Sequence, residues 1–251
     1  VATAAETGKT SKSEQTKSLI LETALAIFRE RGYEETTMRA IAERANVSLG
    51  NAYYYFRSKE HLIQDFYRHT HDEHLKASLP ILNKEKTLKN RLLGVMRVKI
   101  DTLEPYHAFS GVLFKTAADP KSPLNPFSAE SIPTRLESAA LFREIYAGAK
   151  TKVPEDLDAE LANLLWIYHM GVILFWIHDA SPERRRTRLL VESTVDIITK
   201  LISIASSPLM RPLRRKILKL LAELRETSEA IADGAPTTKD ELSQRRTEIL
   251  S

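Results

Sequence analysis

Between Gly50 and Lys59 the chain reads GNAYYYFRSK, which brings a carboxamide, a run of phenols and an ammonium close together. The Asn51 amide can pair bidentately with an adenine edge, and hydroxyls and ammonium groups donate readily to anionic oxygen. Gly50 costs a helix about 1 kcal/mol against alanine, a cost a purely structural helix avoids, and it lets a backbone come close to another surface. Lys59 follows Ser58 in what reads as the first turn of a helix, where a cation opposes the helix dipole. An external anion relieves that conflict. These groups bind rather than react. The chain has no Gly-rich phosphate loop, HExxH, GxSxG or dinucleotide fingerprint. Glu104, His107 and Ser110 are neighbours in sequence, but a hydrolytic triad is a matter of geometry, so no enzyme is expected. With no cysteine, disulfides, thiolate zinc sites and a cysteine nucleophile are excluded together. His69, His71 and His74, with Asp72 and Glu73, carry metal-like character at helical spacing, yet a solvated polar face explains them. No metal and no cofactor are expected.

Side chains of this kind need a rigid platform, and the stretch 36–62 supplies one. Met38, Ile41, Ala42, Ala45 and Val47 recur at helical spacing, a short break follows, and Ala52 and Phe56 begin a second apolar face. Thr37, Ser48 and Ser58 each stand where an N-cap belongs, which marks three helix starts. Of the aromatic run, Tyr54 or Phe56 is expected to turn inward before Tyr53. Upstream, Leu19, Ile20, Ala24, Ile27 and Phe28 form one face of a helix within 14–31, with Gly32 as its C-cap. Phe28 and Tyr33 are core candidates.

At these residues the chain resembles the tetracycline-repressor (TetR) family of bacterial transcription regulators. The likeness rests on Thr37 and Arg39, on Ile41-Ala42, on Val47-Ser48, and on Tyr53, Tyr55, Phe56, Lys59 and Leu62 beyond. It covers roughly 16–69. It implies a helix-turn-helix whose recognition helix enters the major groove with residues 48–54, including Gly50 and Tyr54. Asn51 and Arg39 are then the base-reading candidates, and Thr37, Tyr53, Tyr55 and Lys59 the phosphate contacts. Leu49 stands where family members often carry a polar residue, so it offers only apolar contact, for instance to a thymine methyl.

Downstream, Leu62, Ile63, Phe66, Tyr67 and Leu75 describe a long linking helix, expected to end before Pro80. Further helices are expected over 87–103, 108–118, 133–151, 157–178 and 182–205, with Ser181-Pro182-Glu183 as a capped start for the last. No segment alternates with period two, so the fold class is all-α. The stretch 161–177 is apolar on nearly all sides, which fits a helix buried both in its own domain and against a second subunit better than a membrane span. The following helix carries Leu190, Thr194, Ile197, Ile198 and Leu201 on one stripe, and two such helices from each of two chains would form a four-helix interface. A basic amphipathic helix over 212–231 shows Leu213, Ile217, Leu220, Leu221, Leu224 and Ile231 on one side. Arg211, Arg214, Arg215, Lys216 and Lys219 take its polar side.

The expected organisation is a disordered arm (1–13), a three-helix DNA-binding domain (14–57), the linking helix (58–79) and a larger helical bundle for ligand binding and dimerisation (80–206). An extra helix and tail, with a short helix from Thr238, occupy 207–251. The 251-residue chain is mildly basic at +4, but 1–77 holds eleven Lys plus Arg against eleven Asp plus Glu, a net of zero. Charge alone does not mark a DNA-binding surface there. No charged-then-apolar leader opens the chain, so no export segment is expected. Phe109, Phe114, Phe127, Trp166, His169 and Met170 are the candidates for an apolar ligand pocket, with the proline-rich run 119–127 as its entrance. The expected protein is a homodimeric, ligand-responsive repressor, cytoplasmic and nucleoid-associated. Its expected partners are palindromic operator DNA and a hydrophobic or amphipathic small molecule, with no membrane. The alternative is a helical interaction protein acting through its basic C-terminal helix on a membrane or protein partner.

Overall fold

The structure, a computed structural model, describes residues 12–232. Most of the expected arm and the expected short helix from Thr238 lie outside the described residues. Ten α-helices, α1 to α10, and no strand make up the described chain. The head comprises α1 (Lys12–Arg31), α2 (Met38–Arg44) and α3 (Leu49–Tyr55), followed by the start of α4 (Lys59–Lys84). The body holds the rest of α4 with α5 (Leu88–Leu103), α6 (His107–Ala117), α7 (Ile132–Ala147), α8 (Glu155–Ile177), α9 (Arg185–Ala205) and α10 (Arg211–Ala232).

The head's boundaries follow from local chemistry. Thr37, Ser48 and Ser58 cap α2, α3 and α4 by accepting from the backbone N–H groups of Ala40, Asn51 and His61. Gly32 ends α1 at φ 86°, a conformation that costs glycine nothing. The turn between α2 and α3 is a Schellman motif: Asn46 takes φ 53°, its N–H bonds the Glu43 carbonyl, and the Val47 N–H reaches back to Ala42. An asparagine tolerates this left-handed position better than a β-branched residue would. Ile20, Ala24, Phe28, Ile41, Ala52 and Phe56 close the head's core.

Three expectations for the body are corrected. Pro80 does not end α4, which continues to Lys84. The final turn is held from outside: Leu82 is buried, Ile81 packs onto Gly94 of α5 where a Cβ would collide at 2.5 Å, and Arg91 donates to the Leu82 and Glu85 carbonyls. Tertiary packing outweighs the missing N–H. Ser181-Pro182-Glu183 does not open α9 directly. Glu183 and Arg184 adopt φ 51° and 54°, and α9 begins at Arg185. Its anchor is the buried Asp179, whose carboxylate accepts from Ser181 N (2.9 Å), Thr187 N (2.8 Å) and Thr187 Oγ1 (2.7 Å). Finally, α10 is rotated from its expected face. Arg214 is buried, bonding Asp156 at 2.9 Å and the Ala205 carbonyl at 2.6 Å, while Leu213, Ile217 and Leu220 are exposed. An ion pair at the start of α8 and a carbonyl at the end of α9 orient this helix more strongly than its leucines do.

Helix α8 is long and apolar enough, by length and composition, to cross a membrane. Its Leu161, Leu165, Trp166, Val172 and Trp176 are instead buried in the body core, while Leu164, Ile167 and Leu174 lie exposed. Helix α6 belongs to two places at once. Its Phe109, Leu113 and Ala117 are buried in the core of the head rather than in that of the body.

Candidate nucleic-acid interface and interior cavity

Helix α3 stands on Ala52, fully buried, and on Phe56, which fixes the helix end. Leu49 and Tyr55 are half-buried against the same core. The outer face carries Gly50, Tyr53 and Tyr54. A Cβ built on Gly50 meets nothing within 4 Å, so neither packing nor a turn in this chain requires glycine there. Tyr53 is 48% exposed and Tyr54 79%, and of the two alternatives for the inward position it is Phe56, at 2%, that takes it. Tyr55 directs its phenol to Ser13 Oγ of α1 at 3.1 Å and sets its ring edge-on to Tyr54. The Thr37 and Ser48 hydroxyls spend a lone pair on capping and keep their protons for an outside acceptor.

The cations divide into two groups. Lys59 Nζ donates to the Tyr33 carbonyl at 2.7 Å and the Glu34 carbonyl at 3.3 Å and lies over the Tyr33 ring, so it ties α4 to the α1–α2 turn. One of its three donors stays open to an anion. Arg44 is taken by Glu30, and Lys17 and Arg68 by Asp65. Arg39 and Arg57 are exposed and have no acidic partner among the described residues. The head's zero net charge is unevenly paired: Glu30 and Asp65 engage Arg44, Lys17 and Arg68, while Arg39 and Arg57 stay open. Arg57 was passed over in the sequence; its place just after Phe56, in the break before α4, was the available signal.

The body holds a partly open cavity of about 200 Å³ among α4, α5, α6, α7 and α8. Phe114, Trp166, His169 and Met170 line it, as do Leu103, Leu113, Ile173 and Trp176. Phe109 is not among its walls. It is fully buried in the head, its ring stacked on Phe28 at 5.8 Å and edge-on to Phe66 at 5.6 Å. Phe127 is 63% exposed and touches the cavity only through its edge-on contact with Trp166 at 5.3 Å. The run 119–127 is fastened rather than loose: Leu124 is buried in the head core and Gln64 of α4 donates to the Pro123 carbonyl at 2.8 Å.

The histidine run splits by face. His69 pairs with Glu73 on the outside at 3.4 Å, whereas His71 and His74 are buried. His74 Nε2 bonds the Val95 carbonyl at 3.0 Å, and burial lowers its pKa to about 3. His169 lies against it with ring centroids 6.3 Å apart and neither ring nitrogen bonded. Among the described residues no group of three or more such side chains gathers with metal-ligand spacing. The sequence reading missed Lys99 and Arg135, both cavity residues. Lys99 was findable, since it occupies a core position in the α5 stripe of Leu92, Val95, Met96, Ile100 and Leu103.

Known proteins resemble this chain in sequence and fold. Residues 20–66 match the family described as "Bacterial regulatory proteins, tetR family", and 91–224 match "Tetracyclin repressor-like, C-terminal domain". The chain is 38% identical over 182 residues to the uncharacterized HTH-type transcriptional regulator YhgD of Bacillus subtilis, covering 68% of this chain and 89% of that one. Against the HTH-type transcriptional repressor KstR2 of Mycobacterium tuberculosis it is 33% identical over 89 residues, which span 36% of this chain and 44% of the repressor. The fold resembles a tetR-family transcriptional regulator from Streptomyces coelicolor, with TM-score 0.56 and 19% identity over 88% of this chain and 98% of that one.

Proposed function

The chain belongs to the tetR family of bacterial regulatory proteins, and on that premise we propose that it is a homodimeric repressor, released from a palindromic operator by a hydrophobic or amphipathic small molecule. In this reading α3 enters the major groove. Asn51 and Arg39 read base edges, Leu49 offers apolar contact, and Gly50 lets the helix backbone approach the DNA. Thr37, Ser48, Tyr53, Tyr54, Tyr55, Arg57 and the open donor of Lys59 hold phosphates. The names of relatives support repression, and the exposed faces of α8 and α9 support pairing. Leu164, Ile167 and Leu174 on one helix and Ile197, Leu201 and Ile204 on the other are exposed, as a twofold four-helix contact requires. Two heads would then meet half-sites about 34 Å, one helical turn, apart or a multiple of it.

The observation that carries ligand response is the sharing of elements between cavity and head. Leu113 and Ala117 of α6 and Phe66 of α4 are at once cavity walls and members of the head core. A ligand that displaces these side chains disturbs the seat of α1 through the Phe28–Phe109 stack. Coupling of ~1–3 kcal/mol is enough for a several-fold to hundredfold loss of operator affinity. The test is to select operator DNA from a random library and follow its binding by fluorescence anisotropy while apolar compounds are added. Compounds that change the emission of Trp166 and Trp176 should release the DNA. Occupancy of the cavity with unchanged DNA affinity would contradict the reading.

A further inference from the structure

Two basic residues interrupt the buried stripe of α5, and the fold treats them oppositely. Arg91 donates to the backbone carbonyls of Leu82 and Glu85 at the end of α4 and of Glu144 and Ile145 at the end of α7. It is a cation placed where helix ends present negative charge, fully used by the chain itself. Lys99, two turns further on, is 7% exposed, and among the described residues it has no hydrogen-bond acceptor and no carboxylate partner. An ammonium that has no protein partner and opens on an apolar cavity is costly unless water or an anion completes it.

Its surroundings narrow what that is. His71, His74 and His169 are the titratable groups within reach of its charge, and burial together with Lys99 pushes all three imidazoles down. Burial also pulls Lys99 down to about 8, so near neutral pH the ammonium is the charged group of this cluster and the imidazoles are neutral. His74 is spent on the Val95 carbonyl. His71 faces Ser138 Oγ at 3.3 Å and, at the rim, Glu137 at 3.7 Å, with Asp72 acting from further off. His169 keeps both ring nitrogens unpartnered, buried and on the cavity wall. Arg135 is held over the Trp166 ring and points Nη1 at the Pro126 carbonyl. No Asp or Glu lines the cavity. Lys99 with no acid opposite it suits an anion, and a cation would meet only repulsion; Arg135, the second cation of the lining, is engaged by the Trp166 ring and the Pro126 carbonyl.

We propose that the cavity takes an apolar monocarboxylic acid, its carboxylate seated on Lys99 and its tail among Leu103, Leu113, Phe114, Ile173 and Ile177. A medium-chain or single-ring acid fits a cavity of about 200 Å³. Binding itself stands on these side chains alone; its effect on DNA rests on the regulator reading above.

The chain's only tryptophans, Trp166 and Trp176, both line the cavity, so their emission reports occupancy without DNA. Decanoate, decan-1-ol and decylamine are titrated into the intact protein. Decanoate should bind about tenfold or more tighter than the alcohol, as a charge-assisted hydrogen bond to Lys99 implies, and the amine should not bind. Lys99→Met should remove that preference while leaving the alcohol's affinity in place. Since protonated Lys99 holds the acid, decanoate affinity should stay level up to about pH 8 and fall above it, and alcohol affinity should not change. If Lys99→Met does not fold, this pH profile of the unaltered protein carries the test. Equal binding of acid and alcohol, preference for the amine, or a flat pH profile for decanoate overturns the proposal. Decanoate that fills the cavity without releasing operator leaves the proposal standing and removes the release reading. Release by the alcohol with no binding of the acid does the reverse.

Discussion

Asp179 shows how one carboxylate sets the start of a helix that its neighbours in sequence fail to start. Buried and bonded to Ser181 and Thr187, it is held well below the usual carboxylate range, its hydrogen bonds outweighing the cost of burial. A depressed pKa contributes stability that is fully present above the unfolded value, ~4, and is lost as pH falls through the folded one. Acid titration of the wild type below pH ~4 should therefore show a loss of melting temperature that Asp179→Asn lacks in part, and Asp179→Ala should cost about 2 kcal/mol at neutral pH. Gly50 offers the opposite case, a residue at which no neighbour within the described chain requires glycine. Gly50→Ala should raise stability by up to about 1 kcal/mol in thermal melts, because its Cβ meets open space, while weakening operator binding in anisotropy titrations. An alanine that leaves operator affinity unchanged would remove close approach from the reading. At this scale the sequence is legible where causes are local. The caps Thr37, Ser48 and Ser58 and the αL Gly32 act over three or four residues, so spacing reveals them. The direction of Tyr54 is not local, because one helical turn offers Phe56 or Tyr54 to the core with similar apolar area. Only the packed head shows that Phe56 takes the place.

Among the elements, α4 and α6 join the two halves of the molecule. The pattern of Leu62, Ile63 and Phe66 was enough to place α4, but Pro80 marked a false end, since its cost of about 3 kcal/mol is met by contacts that no local rule contains. Replacing this exposed proline by alanine should stabilise the protein by about 1–3 kcal/mol in denaturant melts, with operator affinity retained. Helix α6 was expected in the right place yet given the wrong neighbours. Phe109 and Phe114 lie on the same short helix, and spacing does not tell which domain each faces; the structure sends Phe109 into the head and Phe114 to the cavity. Phe109→Leu keeps the site apolar but removes the ring stacked on Phe28. It should leave operator binding within about threefold of wild type and reduce ligand-driven release several-fold, since ΔΔG for such swaps stays below ~1.5 kcal/mol while the coupling contact is lost. Full release in this variant would point to α4 alone as the link. The α10 leucines mislead for a related reason: amphipathicity defines two faces, but Arg214 decides which one docks.

For the whole molecule, the proposed dimer would give the exposed apolar surface of α8 and α9 and the unpaired Arg39 and Arg57 of the head one common use, a pair of heads held at fixed spacing on DNA. Leu201 is 57% exposed on α9, so Leu201→Glu should barely alter the protomer's fold while placing a charge in the proposed twofold contact. Sedimentation should show a monomer, with operator affinity reduced by tenfold or more. A dimer of wild-type strength would move the interface elsewhere, with the exposed Leu213, Ile217 and Leu220 of α10 the next surface to examine. The most direct measurement is a random-sequence DNA selection with the intact protein, followed by anisotropy titrations of the enriched DNA with wild type and Asn51→Ala over a series of salt concentrations. We expect an enriched palindrome, affinity that falls steeply with salt, and a loss of about 1–3 kcal/mol in Asn51→Ala that is specific to one base pair of each half-site. No enriched sequence, or an Asn51→Ala protein that binds every site as the wild type does, would contradict the assignment of α3 as the reader of DNA.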